Sequence, residues 1–170
     1  DGIGPLVVLL GSENPRTREH AEGALVRLSI ETSNRVLIIK QLVAMLYDSG
    51  KEQAAAALAN LASDSDGNRV SIVEAGGIRP LLELLDNSTS AKSKENALIA
   101  ITHLAHSNLE RQAAIADAGG VPRIVEVLIS SSNNVKEPSV VQLCSIAADA
   151  VSQLSKGNGP NQLAVADAGG

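Results

Sequence analysis

The 170-residue sequence contains no Trp and no Phe, a single Tyr (Tyr47) and a single Cys (Cys144). Without large rings, a core has to be assembled from Leu, Val, Ile and Ala, which suits the close approach of helices better than the wider spacing of a sheet sandwich. One cysteine excludes an intramolecular disulfide and fits a reducing compartment, so the expected location is intracellular, cytoplasmic or nuclear. No apolar run approaches the ~20 residues of a membrane span. Basic residues are outnumbered, 14 against 19, and the net charge of −5 is spread along the chain. A nucleic-acid partner needs a concentrated basic face and is not expected.

Chemistry-bearing motifs are missing as well. The glycine-rich stretches lack both G-x-x-x-x-G-K-S/T and G-x-G-x-x-G, so there is no phosphate cradle. "DSDGN" (Asp64 to Asn68) starts like a calcium loop but lacks the later ligands and the closing Glu. A loop in which Asp66 or Asn68 caps the next helix is the expectation there. His103 and His106 stand three apart with no third ligand near them in sequence. Cys144 sits in the apolar-periodic "VVQLCSIAADAV" with no His close by, as a packing residue would. No catalytic constellation assembles, so neither an enzyme, a cofactor nor a metal is expected.

What the sequence does have is repetition. "NRVSIVEAGG" from Asn68, "RQAAIADAGG" from Arg111 and "NQLAVADAGG" from Asn161 are versions of one string, and "NRVLIIK" from Asn34 matches its opening. "PLVVLL" from Pro5, "QLVAML" from Gln41, "PLLELL" from Pro80 and "RIVEVL" from Arg123 form a second set. "ALVRLS" from Ala24, "ALANLA" from Ala57, "AITHLA" from Ala100 and "AVSQLS" from Ala150 form a third. Apolar residues within these strings recur at three- and four-residue steps, one face of an α-helix. Gly-Gly supplies the left-handed conformation that ends a helix, at a cost of roughly 1 kcal/mol to other residues. Pro5, Pro80 and Pro122 then open the next helix, where a missing N–H is harmless. Each unit is therefore a short helix, a glycine corner, a second helix, a polar turn and a longer third helix. No unit can bury its apolar face alone, so units must stack.

The period drifts. Leu10 to Leu46 is 36 residues, Leu46 to Leu85 is 39 and Leu85 to Leu128 is 43, and the last unit has extra length in the polar turn "SSSNNVKEPS". Between Asn34 and Leu42 there are 8 positions, against 13 between Asn68 and Leu81, so the glycine corner is absent there. Either two helices merge at that point and the superhelix kinks, or this sequence omits residues that the protein has. The opening "DGIGPLVVLL" and closing "DAGG" fall inside the repeated junction. About four repeats are expected, near 1–40, 41–77, 78–120 and 121–170. They are expected to form one segment cut from a longer array, whose uncapped ends should associate end to end.

Aligning the third set places Arg27, Asn60, His103 and Gln153 at one equivalent position, each able to donate a hydrogen bond. In a stack, such positions make a ladder along one groove. Beside it fall Arg16, His20, Glu52, Lys92, Asn96 and Asp149, a set of mixed sign.

The three strings and their glycine junction resemble the armadillo repeat family over essentially the whole chain. That resemblance implies an all-α fold, a right-handed superhelical solenoid with three helices per repeat. It also implies a non-catalytic scaffold that binds a peptide or protein along a concave groove of third helices, where an Asn commonly grips the ligand backbone. Asn60 matches that residue, and Arg27, His103 and Gln153 replace it. Importin-α-like cargo adaptors carry Trp four residues earlier, and those positions here are Gly23, Ala56, Ile99 and Asp149. The other reading is a structural spacer in a larger protein, such as an armadillo-containing U-box ubiquitin ligase.

Overall fold

The computed structural model describes residues 2–86, 89–132 and 137–169. Those residues form α-helices and turns and no strand: α1 (Ile3–Leu9), α2 (Pro15–Leu28), α3 (Thr32–Met45), α4 (Lys51–Asp64), α5 (Asp66–Glu74), α6 (Ile78–Glu83), α7 (Ala91–Ala105), α8 (Leu109–Asp117), α9 (Gly120–Ser132), α10 (Pro138–Ser155) and α11 (Gly159–Gly169). The chain divides into two compact units, one ending at Pro80 and the other starting at Leu81.

In the first unit α1 packs on α2 and α3, α3 packs on α4 and α5, and α2 packs on α4. Leu10, Leu25, Ile38, Ile39, Leu42, Leu58, Leu61 and Ile72 are fully buried at the centre. The run "QAAAALANLA" in α4 buries Ala54, Ala55, Ala57, Ala59 and Ala62, small side chains that let neighbouring helices come close. In the second unit α10 packs on α9 and α7, and α11 packs on α9. Leu98, Ile101, Leu104, Ile115, Ile124, Ala147, Ala150 and Leu154 are buried there.

The glycine corners use their two residues differently. Gly76 and Gly119 have φ of +77° and +81°, in the left-handed region, with open space around them. Gly77 and Gly120 are instead close-approach residues. A Cβ on Gly120 would stand 2.6 Å from Ile115 Cγ2 and 2.7 Å from the Ile115 carbonyl oxygen, and one on Gly77 would stand 2.8 Å from Ile72 Cγ2. The third junction behaves otherwise, because Gly169 continues α11 and Gly170 lies outside the described residues. Pro5, Pro80 and Pro122 each occupy the first turn of their helix.

Where the corner is absent, α3 runs unbroken from Thr32 to Met45. Its first half plays the part of a short helix and its second half that of the next one, so the two have merged. The turn "SSSNNVKEPS", expected to hold the extra length, spans 130–139, of which 133–136 lie outside the described residues.

The shared openings "NR", "RQ" and "NQ" have a structural job. Each pair lies seven residues beyond the "LA" or "LS" that closes a long helix, and its side chains donate to the last carbonyls of that helix. Asn68 Nδ2 donates to the Leu61 oxygen at 2.9 Å and Arg69 Nη1 to that of Ala62 at 2.8 Å. Arg111 Nε donates to Leu104 at 2.7 Å and Gln112 Nε2 to Ala105 at 3.3 Å. Asn161 Nδ2 donates to Leu154 at 2.8 Å and Gln162 Nε2 to Ser155 at 3.0 Å. Carbonyls at a helix C-terminus have no partner within the helix, so each pair satisfies two of them. Asn34 and Arg35 follow a turn one residue shorter. Arg35 Nη2 donates to Thr32 Oγ1 at 3.0 Å instead. The capping expected of Asp66 or Asn68 is corrected: Ser65 is the N-cap of α5, accepting from the Asn68 amide at 3.2 Å. Its extended backbone aims the hydroxyl at the first turn, while Asn68 is spent on α4.

Candidate functional site

In the first unit the equivalent positions are exposed: Arg27 near the end of α2 and Asn60 near the end of α4. Between these helices Leu25, Val26, Ala57 and Leu61 close with essentially no free volume. At the rim of that seam Asn60 Nδ2 donates to Glu22 Oε2 at 3.2 Å. Burial holds the Glu22 carboxyl above the usual glutamate pKa, Arg18 pulls it down and Glu19 adds to the rise. The amide thus keeps one N–H and its carbonyl oxygen for an incoming group. Glu22 has no signal in the local sequence, since its partner is 38 residues away.

Arg16, His20, Gly23 and Arg27 recur at helical steps and share one face of α2. All three side chains are exposed. A Cβ built on Gly23 would stand 3.7 Å from both terminal nitrogens of Arg27, so the guanidinium folds back over the bare backbone there. Glu52 is half-buried in the first turn of α4. A separate cavity of about 640 Å³ lies between α1, the end of α3 and the start of α4, with Val7, Val8, Gln41, Met45, Asp48 and Gln53 among its walls. Those residues come from three elements with no shared pattern, which is why the repeats do not reveal it.

In the second unit His103 on α7 and Asp149 on α10 are brought together, lining a cavity of about 270 Å³ with Ile99, Thr102, Ser145 and Ile146. Gln153 is half-buried outside that lining, its Oε1 buried without a partner among the described residues. Its backbone oxygen accepts from Gln112 Nε2 at 2.9 Å. Gln112 also accepts at Oε1 from Asn158 Nδ2 at 3.3 Å, and at its carbonyl from Asn161 Nδ2 at 3.4 Å. This buried amide cluster joins α8 to the turn that opens α11. Lys92 is exposed and pairs with Glu95 at 3.1 Å, whereas Asn96 is buried in α7. Cys144 is half-buried on α10.

Among the described residues no three or more His, Cys, Asp or Glu gather to hold a metal. No described helix is long and apolar enough to cross a membrane.

Comparison with known families and structures adds to this geometry. The family model for the Armadillo/beta-catenin-like repeat matches residues 65–106. The crystal structure of an engineered protein is similar, with a TM-score of 0.73 at 31% identity, over 99% of this chain and 68% of that one. A computationally designed armadillo repeat protein for modular peptide recognition matches with a TM-score of 0.71 at 25% identity, over 98% and 70% of the two chains. A designed armadillo repeat protein in complex with the peptide (KR)4 shares the fold, with a TM-score of 0.73 at 23% identity, over 99% and 71%. A comparison with curated proteins finds no match.

Proposed function

This chain belongs to the armadillo repeat family, and from that premise we propose that it is a non-catalytic scaffold binding an extended peptide or protein segment along the exposed faces of its long helices. One observation carries the reading. Asn60 stands exposed beside a closed apolar seam, its amide oriented by Glu22 at 3.2 Å. A pre-oriented amide can donate to and accept from one residue of a ligand backbone without first losing rotamer freedom. Structural neighbours named for modular peptide recognition, or solved with a peptide, support the same use of the fold.

Energetics decide what kind of binding this is. Each such hydrogen bond contributes a net ~0.5–1.5 kcal/mol, while ordering a ligand residue costs about 1–2 kcal/mol. Backbone contacts alone leave little surplus, so charge or apolar contacts beside them must supply the affinity.

Selection of random twelve-residue peptides against the wild-type chain tests the reading, with affinities then measured on an Arg27→Ala/Asn60→Ala variant. Both side chains are exposed, so folding should be unaffected, which circular dichroism checks. Selected peptides should bind the variant about tenfold or more weakly, the loss of some 1.4 kcal/mol. Equal affinity for both proteins removes the proposed face from function and returns the segment to a spacer.

A further inference from the structure

The faces of the long helices differ in charge, and α2 is the odd one. Its stripe carries Arg16, His20 and Arg27 in a chain whose net charge is −5. None of the three side chains makes an ion pair or hydrogen bond with another described residue. The corresponding stripe of α7 has Lys92, already paired to Glu95, and that of α10 has Asp149.

Two features keep the α2 stripe positive. Glu22, a half-buried carboxylate on the helix, is turned aside to Asn60 of α4. Arg18 is not part of the stripe: it donates to the backbone oxygens of Ser12 at 2.7 Å and Glu13 at 3.2 Å and fixes the turn before α2. Gly23 leaves a bare step on which the Arg27 guanidinium lies, which draws it toward His20 and Arg16. The exposed Glu19 flanks the stripe at its Arg16 end. The first turn of α2 contains no acidic residue and does contain Arg16, opposing the helix dipole. Local stability does not account for a cation in that place, and a ligand of opposite charge would.

We propose that this stripe is the docking surface for an extended acidic peptide, whose carboxylate side chains pair with Arg16 and Arg27 and pass His20 between them. The proposal rests on the scaffold reading above and adds to it the sign of the partner. Arg16 and Arg27 are eleven residues apart, roughly 16 Å along the helix, and the folded-back guanidinium shortens the gap between charges. Carboxylates about three to five extended residues apart bridge it at ~3.3–3.6 Å per residue.

Fluorescence anisotropy on the full chain tests this with three twelve-residue Gly/Ser peptides bearing four evenly spaced Asp, four Lys or no charge. The acidic peptide should bind at least about tenfold more tightly than the other two, weakening as salt is raised. Arg16→Gln/Arg27→Gln should abolish that preference, and Arg16→Glu/Arg27→Glu should transfer it to the basic peptide. Lys156→Gln, which removes an exposed cation in the other unit, should leave it intact. An acidic peptide that binds no better than the neutral one, or one whose binding survives Arg16→Gln/Arg27→Gln, overturns the stripe. If that surviving binding is lost in Asn60→Ala, the scaffold reading stands and only the placement on the stripe is wrong. A preference of the wild type for the basic peptide leaves the scaffold reading standing and refutes the sign of the partner.

Discussion

The paired glycines at the α8–α9 corner allow a sharp test, because two adjacent residues of one type are needed for unrelated reasons. Gly119 has φ of +81° and nothing within 4 Å of a hypothetical Cβ. Ala there meets no atom and suffers only from the left-handed backbone, about 1 kcal/mol. Asn, which tolerates that region, should cost less than Ala. Gly120 is the opposite case. Its Cβ would meet Ile115 Cγ2 at 2.6 Å and the Ile115 carbonyl at 2.7 Å. A side-chain methyl can rotate away, but a carbonyl inside α8 cannot without breaking the corner, so Gly120→Ala should cost about 1–3 kcal/mol, and Asn no less. Chemical denaturation gives the free energies, and melting should fall by about 2–4 °C per kcal/mol for a chain of this size. Hydrogen exchange should place the loss in α8 and α9. Gly120→Ala proving no worse than Gly119→Ala, or the two Asn variants proving equal, would refute the division of labour.

Four further outcomes are expected. Asn161→Ala removes a buried amide serving the carbonyls of Leu154 and Gln112, and denaturation should show a loss of about 1–3 kcal/mol. Gln162→Ala removes a like bond to Ser155 from an exposed residue and should cost under about 0.5 kcal/mol. Ser107 holds φ of 51° where the matching loop has Gly157 at 70°, so Ser107→Gly should stabilise by about 0.5–1 kcal/mol, seen as a raised melting temperature. Glu22 has a folded pKa raised chiefly by burial, so the folded state holds its proton more tightly than the unfolded chain. Its contribution to stability is present at low pH and lost as pH rises from near 4.5 through the raised value. Glu22→Gln should therefore melt higher than wild type at pH 7, with the gap closing toward pH 4.5. A gap that widens on acidification contradicts that sign.

Much of the architecture was legible without coordinates because it rests on interactions within a few residues. Helix periodicity, the Gly-Gly stops and the prolines in first turns are consequences of backbone sterics and of the 3.6-residue turn. The missing corner after Asn34 left merging as one of two outcomes, and α3 shows the merged helix. The cap of α5 was misplaced onto Asp66 or Asn68. Both are good capping residues, and which of several candidates caps depends on which backbone is extended, here that of Ser65. The seven-residue spacing of "NR", "RQ" and "NQ" from the preceding Leu was on view in the repeats. Only the hydrogen bonds to Leu61, Leu104 and Leu154 revealed its purpose.

The candidate faces divide along the same line. The sequence by itself determined which positions are equivalent, Arg27, Asn60, His103 and Gln153, because equivalence follows from repetition. Tertiary structure decided what surrounds each of them. It set Glu22 against Asn60, His103 beside Asp149, Gln153 over a buried amide cluster, and Asn96 inside rather than on the surface. These are contacts between helices tens of residues apart in the chain. Their geometry depends on how whole elements pack, and no local pattern of residues encodes that packing.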